Sequence, residues 1–248
     1  MSQIRWVRAD NPSPMTLDGT RTYIVGTTRV AIIDPGPMLP AHLDAVAEAV
    51  ADRVAAAILI THAHPDHEEA TGEMAARLRA TVVDAKDGTV IDTDAGELLA
   101  LATPGHTPDH VSFFLENERA VFCGDLMTGG LDTALVAPPE GNLREYLHSL
   151  ERIRALNPAL LYPAHGPAFD DPQVTIDRYV HHRMERLEQV VAALAKGASS
   201  ADALVEHVYG RQLDRRLRRY AESAVEAYLA YLAAGGRVVL SHGQWSLV

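Results

Sequence analysis

Three histidines and an aspartate lie within six consecutive positions of the sequence, in the stretch "THAHPDH": His62, His64, Asp66 and His67. Neutral imidazole nitrogens and carboxylate oxygens are ligands that zinc and similar divalent ions accept. A polar surface turn is the alternative explanation, because short motifs also arise by chance. The density of ligand-type side chains favours a metal site.

The residues around this stretch predict where the four side chains point. An apolar run precedes His62 and reads as a buried strand, so His62 and His64, two positions apart in extended chain, face the same side. Pro65 suits the first turn of a helix, and "DHEEATGEMAARLRA" continues with a helical pattern. Asp66 and His67 therefore project from the start of a helix, and we expect all four groups to converge.

Three further candidate ligands occur later: His106 in "ATPGHTPDH", Asp125 in "FCGDLMTGG" and His165 in "LYPAHGP". Each lies where a predicted strand meets a loop that contains glycine. Taken alone, each has a surface or capping role as its alternative. With the first cluster they make five histidines and two aspartates, enough for two adjacent metal ions. The single cysteine, Cys123, is expected to be a buried apolar residue.

The pattern of apolar residues predicts the elements that hold these ligands in place. Helices are predicted over 42–52 and 142–156, where apolar side chains recur on one face. Short β-branched runs predict strands at 22–26, 29–36, 55–62, 80–85, 111–116, 119–125 and 159–166. Strands interspersed with helices predict a layered α/β body.

The pattern changes after Pro172. A long helix with an apolar stripe from Ile176 to Leu194 is stopped near Gly197, and two further helices follow. The last stretch, "RVVLSHGQWSLV", reads as two strands joined at His242–Gly243. We therefore predict two domains. Residues 1–172 contain all the candidate ligands, and residues 173–248 form a helical, winged-helix-like module that packs on the body through its long helix.

Charge is unevenly distributed along the 248 residues. The net charge is −11, with −13 on residues 1–172 and +2 on residues 173–248, and an acidic body discourages non-specific binding to nucleic acid. No apolar run approaches the roughly 18 residues of a membrane span, and the N-terminal stretch lacks the apolar segment of a secretion signal. We expect a cytoplasmic protein that does not associate with membranes.

The motif set resembles the metallo-β-lactamase superfamily over about residues 5–170. "THAHPDH" matches the pattern HxHxDH, and a His, an Asp and a His follow in the order of that family. The resemblance implies an αββα sandwich, two sheets flanked by helices. It also implies that His62, His64 and His106 hold one metal ion, that Asp66, His67 and His165 hold the other, and that Asp125 bridges them.

The branch of the family is indicated by the two aspartates and by the C-terminal residues. A ligand set without cysteine is similar to the glyoxalase II-like branch. "YVHHRMERLEQ", "TPGHTPDHVSFFL", "YPAHGP" and "NPSPMTLDGTRTYIVG" are similar to the lactamase-beta-two-like branch, which includes a mitochondrial endoribonuclease.

The resemblance implies a hydrolase with two Zn²⁺ ions, with Mn²⁺ or Fe²⁺ as alternatives, acting on small esters, thioesters or lactones. An endoribonuclease or phosphodiesterase with the same metal site is the first alternative. A nucleic-acid-binding regulator with a structural metal site is the second. The expected partner is a small-molecule substrate, with RNA as the alternative, and a homodimer is left open.

Two adjacent divalent ions lower the pKa of a shared water, so hydrolysis needs no serine or cysteine nucleophile. We expect Asp66 to orient the attacking water. Asp34 either fixes a histidine tautomer or caps a turn, and His110 either supports the site or makes a hydrogen bond in the core.

The sequence also suggests residues for substrate contact. Met15 and Leu17 would form an apolar flap over the site. Tyr179, His182 and Arg183 lie on the long helix, where a solvated helix face is the alternative. A basic patch lies near the C-terminus, with internal ion pairing to Asp214 and Glu222 as its alternative; it consists of Arg211, Arg215, Arg218 and Arg219. Exposure of this patch on the side of the metals would favour a nuclease.

Overall fold

The computed structural model describes residues 3–131 and 133–248 and begins with a four-stranded sheet. Its strands are β1 (Ile4–Arg8), β2 (Arg21–Val25), β3 (Arg29–Ile33) and β4 (Val54–Leu59), in that order. The first three strands are antiparallel, and β4 runs parallel to β3. A parallel neighbour requires a crossover, which helix α1 (Pro40–Val50) supplies.

A five-stranded sheet follows the helices α2 (Pro65–Glu68) and α3 (Thr71–Leu78). It runs in the order β5 (Val90–Thr93), β6 (Gly96–Ala102), β7 (Val111–Leu115), β8 (Ala120–Gly124) and β9 (Leu160–Pro163). Only its last pair, β8 and β9, is parallel. Helix α4 (Leu143–Ala155) makes the crossover between those two strands.

Alternation of side chains along the strands places the sheets face to face, because successive residues point to opposite sides. Tyr23 of β2 and Phe113 of β7 both lie in the hydrophobic cluster between the sheets. Their neighbour Ile24 belongs to the cluster under α1 and α3, and Phe114 to the cluster under α4. The order of layers is therefore helix, sheet, sheet, helix, and the predicted αββα sandwich is confirmed.

The C-terminal elements are α5 (Pro172–Ala195), α6 (Ala201–Tyr209), α7 (Arg215–Ala234), β10 (Val238–Ser241) and β11 (Gln244–Leu247). The last two pair as a hairpin across His242–Gly243. Both turn residues have positive φ, 52° and 76°, as a two-residue hairpin requires. The predicted helices and hairpin are confirmed.

The long helix packs against the body. Ile176 of α5 lies in one continuous hydrophobic cluster with Leu150 of α4 and Leu229 of α7. This packing agrees with the sequence analysis. A domain boundary at residue 172 and a winged-helix-like character for the C-terminal elements stay predictions.

Two local predictions are wrong. The stretch 80–85 is not a strand; Val82 makes only an isolated parallel bridge to Ile58. The helix expected to run on from Pro65 is divided at Glu69–Ala70 into α2 and α3, because the amide of Ala70 donates to the carbonyl of Gly36 at 3.0 Å. That bond takes the amide out of the regular helical pattern.

Strands β1, β5 and β6 were not predicted from the sequence. No described helix within 3–131 or 133–248 is both long enough and apolar enough to cross a bilayer. Cytoplasmic location and a homodimer stay predictions.

Candidate metal centre

The candidate ligands gather at one edge of the sandwich, where strands of both sheets end. His62 and His64 follow β4, Asp125 follows β8, and His165 follows β9. Two backbone hydrogen bonds join the sheets at this edge: the amide of Val111 donates to the carbonyl of Thr61 at 2.7 Å, and the amide of Arg21 to the carbonyl of Ala164 at 2.8 Å. The loops that carry these candidate ligands are therefore tied to the strand ends of both sheets.

The first ligand cluster consists of His62, His64 and His106. Nδ1 of His64 lies 2.9 Å from Nε2 of His62 and 3.2 Å from Nε2 of His106. Nitrogens that share one tetrahedral zinc, with bonds of about 2.0–2.1 Å, lie about 3.3 Å apart. Together with Asp125, the ligand atoms of this cluster all lie within 4.8 Å of one another.

The second cluster consists of Asp66, His67 and His165. Oδ2 of Asp66 lies 3.2 Å from Nε2 of His165 and 3.5 Å from Nε2 of His67. This trio uses a carboxylate where the first uses a third imidazole.

Asp125 stands between the two clusters. Its Oδ1 lies 3.2 Å from Nε2 of His165 and 3.6 Å from Nε2 of His67. Its Oδ2 lies 3.7 Å from Nε2 of His106. One carboxylate therefore presents a separate oxygen to each cluster.

Unsatisfied atoms at the centre support the same interpretation. Among the described residues, Nε2 of His67 and Oδ1 of Asp125 are buried and have no hydrogen-bond partner. Buried polar atoms without partners are rare and unfavourable. A divalent cation would satisfy both, and the imidazole and carboxylate donors suit zinc. The residues present fit a pair of metal ions.

The charges of the metal-free site are set by burial and by the carboxylates. Burial lowers the pKa of His62 and of His106, so both rings are neutral. Burial also opposes protonation of His67 and His165, but the carboxylates together outweigh it: Asp125 with Asp34 raises the pKa of His67, and Asp125 with Asp66 brings that of His165 to about 9. Metal binding displaces protons from such ligands.

The other ring nitrogens are held by partners outside the clusters. Nδ1 of His106 donates to the carbonyl of Leu135 at 2.8 Å, and Nδ1 of His67 donates to Oδ2 of Asp34 at 2.9 Å. These bonds fix the tautomer and direct each Nε2 toward the candidate metal centre. Asp34 also accepts from the amide and hydroxyl of Thr61, at 2.7 and 2.8 Å. Two roles were considered for Asp34, fixing a histidine tautomer and capping a turn, and its contact with His67 corresponds to the first.

The substitution Asp34→Asn is expected to weaken metal binding by about 10- to 100-fold, the usual effect of losing a partner behind a metal-bound histidine. Asparagine tolerates the positive φ of 53° at this position, so the backbone should be kept. The check is a competitive titration with a chromogenic zinc chelator. Unchanged affinity together with an unchanged Tm would show that Asp34 does not orient His67.

His110 lies behind the first cluster. Its ring centroid is 5.2 Å from that of His62, and its Nδ1 is bonded to the hydroxyl of Thr103 at 2.9 Å. Burial lowers its pKa to about 3, so the ring is a neutral packing partner. It fits only because residue 124 is glycine, where a Cβ would lie 2.7 Å from Nε2 of His110.

The residues suggested for substrate contact separate in the structure. Met15 and His182 line a cavity beside the metal centre. Leu17 is half-buried and pairs with Ser13 instead.

Tyr179 is not brought to that cavity. Its side chain is fully buried, and its hydroxyl is bonded to both the amide and the carbonyl of Thr128, each at 2.8 Å. Arg183 is also buried but does line the cavity. The alternative of a solvated helix face therefore applies to neither residue.

Sequence reasoning missed residues at the mouth of the site. Oε2 of Glu140 lies 3.0 Å from Nε2 of His64, and Oδ2 of Asp109 accepts the amide of Ala63 at 3.0 Å. Asp109 stands within the quoted stretch "TPGHTPDH", so it could have been considered. Glu140 carries no such signal, because it reaches His64 only through the fold.

Comparisons with known proteins agree with this geometry. The family model described as "Metallo-beta-lactamase superfamily" matches residues 68–165. The chain is 33% identical to a β-lactamase-like protein 2 homolog of Caenorhabditis elegans, over 74% of this chain and 68% of that protein. It is 31% identical to an atrochrysone carboxyl ACP thioesterase of Aspergillus chevalieri, over 94% and 81%.

Among solved structures, a metallo-β-lactamase family protein from Thermus thermophilus superposes with a TM-score of 0.79, covering 99% of both chains at 20% identity. That likeness extends through the C-terminal helices and concerns the fold alone. Fold, ligand geometry and sequence relatives agree, and the chain belongs to the metallo-β-lactamase superfamily as a hydrolase of that fold.

Proposed function

We propose that the protein is a dinuclear zinc hydrolase of small esters, thioesters or lactones. The observation that carries the proposal is the position of Asp125, whose two oxygens face two separate ligand clusters. A structural zinc site closes on four ligands around one ion. Seven candidate ligand residues that include a shared carboxylate suit a catalytic pair instead, with Mn²⁺ or Fe²⁺ as alternatives to zinc.

When bound, a metal pair lowers the pKa of a water and stabilises negative charge in the transition state. The chain's residues supply the rest. Asp66 is 26% exposed and stands on the open side of the second cluster, where its carboxylate can orient the attacking water. Cys123 is fully buried, and burial raises the pKa of its thiol, so it does not serve as a nucleophile.

The mouth of the site favours an acyl substrate. It is lined by His64, His106 and Glu140 together with apolar residues that include Leu135 and Pro138. The relative from Aspergillus chevalieri is named a thioesterase. An acidic body, at −13 over residues 1–172, gives a polyanion no electrostatic gain.

A nuclease is the second candidate, because Arg219 and Tyr220 line the same mouth. An arginine and an aromatic ring are typical contacts to single-stranded RNA. Two other arginines of the basic patch are engaged elsewhere: Arg211 pairs with Glu206, and Arg218 pairs with Asp202 and Glu222. Internal ion pairing thus accounts for two of the four arginines of the patch. The alternative of a regulator with a structural metal site is set aside, since the chain is a hydrolase.

The two candidates predict different rates. We expect measurable kcat/KM on a panel of esters, thioesters and lactones, and weaker cleavage of single-stranded RNA that falls steeply with salt. Asp125→Ala, assayed in parallel, reveals contaminating enzymes. RNA cleavage that survives physiological salt and disappears in this variant, with no acyl turnover, would replace the acyl proposal by the nuclease.

A further inference from the structure

A second cavity, of about 310 Å³, lies beside the mouth of the metal centre, between α5, α6, α7 and the loop after Asp125. It shares Leu135 and Tyr220 with that mouth, so the two spaces are neighbours. Most of its wall is apolar and includes Met15, Leu131, Leu213 and Leu217. Its size falls within the usual range for small-molecule sites, about 300–1,000 Å³.

Two arginines of α5, Arg183 and Arg186, form part of this wall. Arg183 is only 3% exposed. Its guanidinium donates to the carbonyl of Ala134 and, at 3.1 Å, to the hydroxyl of Tyr228, and it lies 5.0 Å from the ring centre of Tyr146. Among the described residues, its Nε is buried and has no hydrogen-bond partner.

Arg186 is half-buried. Its Nη1 donates to Oε1 of Gln189 at 2.7 Å and to the carbonyl of Val208 at 2.9 Å, and its guanidinium lies 4.8 Å from the ring centre of Tyr209. Within 3–131 and 133–248, its Nε also has no hydrogen-bond partner. Within the described residues, neither arginine forms an ion pair with a carboxylate.

A buried cation without a counter-ion is unfavourable. Guanidinium keeps its charge in proteins and matches the planar geometry of a carboxylate. The cavity therefore combines an apolar wall with two guanidinium groups that can together bind one anion.

The cavity is also tied to the metal centre through the backbone. His106 donates to the carbonyl of Leu135, and Arg183 donates to the carbonyl of the preceding residue, Ala134. This short segment forms the partition between a candidate metal ligand and the arginines. A substrate whose carbonyl lies at the metals can thus extend past Leu135 into the cavity.

We propose that this cavity binds the acyl chain of the substrate and that Arg183 and Arg186 bind a carboxylate at its far end. The preferred substrates are then esters or thioesters of dicarboxylic acids, with a hydrocarbon chain between the two carbonyl carbons. This specificity rests on the proposed acyl hydrolase function. The apolar wall suits hydrocarbon better than a pantetheine arm, whose amides would lose hydrogen bonds to water.

The first test compares matched thioesters of N-acetylcysteamine. The thioester of decanedioic acid, with its second carboxylate free, should have a kcat/KM about tenfold or more above that of the decanoyl thioester, the effect of one charge-assisted contact. Arg186→Met should remove this preference, so that the two thioesters react at similar rates. Arg215→Gln, on the exposed start of α7, is the matched control and should keep it.

Equal or faster turnover of the decanoyl thioester would overturn the proposal. A second result would also overturn it. If Arg186→Met slowed hydrolysis of a decanoyl thioester of phosphopantetheine but not of the decanoyl thioester of N-acetylcysteamine, the arginines would bind the phosphopantetheine leaving group instead of the acyl chain.

Binding of the hydrolysis products separates failure of this proposal from failure of the proposed function. Calorimetry on the zinc-loaded protein should show decanedioate binding about tenfold or more tighter than decanoate. Arg183→Met and Arg186→Met should each abolish the difference, and Arg186→Met keeps the test valid if the buried Arg183 is needed for folding. If no acyl substrate were hydrolysed, the proposed function alone would be rejected. If decanedioate and decanoate bound equally tightly, this cavity assignment would be rejected whatever the hydrolysis rates.

Discussion

Asp125→Ala is expected to lower kcat/KM for acyl substrates by on the order of 10³-fold or more, because a metal pair stabilises transition-state charge by several kcal/mol. The substitution removes the carboxylate that faces both clusters, at 3.2 Å from Nε2 of His165 and 3.7 Å from Nε2 of His106. It also leaves only one carboxylate, that of Asp66, among the candidate ligands beside the five imidazoles. We expect the fold to survive, since Asp125 is at the rim of the sandwich rather than in its core.

The matched control is Cys123→Ala, two residues earlier on β8. Cys123 is buried in the hydrophobic cluster under α4, and it contributes no candidate ligand. This variant should keep its metal and lose at most a few-fold in rate. If Asp125→Ala retains a tenth or more of the wild-type kcat/KM, the shared-carboxylate account is wrong.

Gly105→Ala is expected to lower the free energy of unfolding by about 3 kcal/mol or more, since strained backbone and overpacking each contribute about 1–3 kcal/mol. Gly105 has a φ of +132°, and a Cβ there would lie 2.3 Å from the backbone N and Cα of Tyr146. The carbonyl of Gly105 also accepts the amide of Asn142 at 2.9 Å. The chain cannot move at Gly105 without disturbing both the start of α4 and the adjacent His106.

Thermal unfolding measures the effect. A loss of about 3 kcal/mol corresponds to a fall in Tm of roughly 6–12 °C for a chain of this size. Gly88→Ala is the control, because Gly88 has a φ of +81° but no atom within 4 Å of the added carbon. It should cost only the conformational strain, about 1–2 kcal/mol. Equal Tm values for the two variants would mean that the close approach at Gly105 carries no cost.

The grouping of the candidate ligands could be expected from the sequence because most of them lie close after a strand or at the first turn of a helix, and His106 lies on the loop between β6 and β7. The positions of His62, Asp125 and His165 follow from where β4, β8 and β9 end, without further knowledge of the fold. The sandwich itself follows from alternation, as the opposite placement of Phe113 and Phe114 shows.

Errors arose where tertiary contacts decide the local structure. Val82 and Val83 suggest a strand, but Val82 is 42% exposed and the segment has only one isolated bridge. The interruption between α2 and α3 depends on Gly36, which is distant in sequence.

The sequence pattern also could not predict which elements pack around α5. This helix packs against both α4 and the pair α6 and α7, so more than one of its faces is buried. Arg183 can then lie inside the protein, although an apolar stripe on only one face of the helix predicts that its side chain is exposed to solvent. Glu140 and the cavity wall likewise come together only in the folded chain.

The most direct test of the account is the number of metal ions bound per chain. Elemental analysis of protein purified without chelator, and again after reconstitution with zinc and desalting, should find about two divalent ions per chain, mostly zinc. Asp125→Ala should bind fewer under the same conditions. A wild-type value that stays at one or zero after reconstitution would contradict a dinuclear centre.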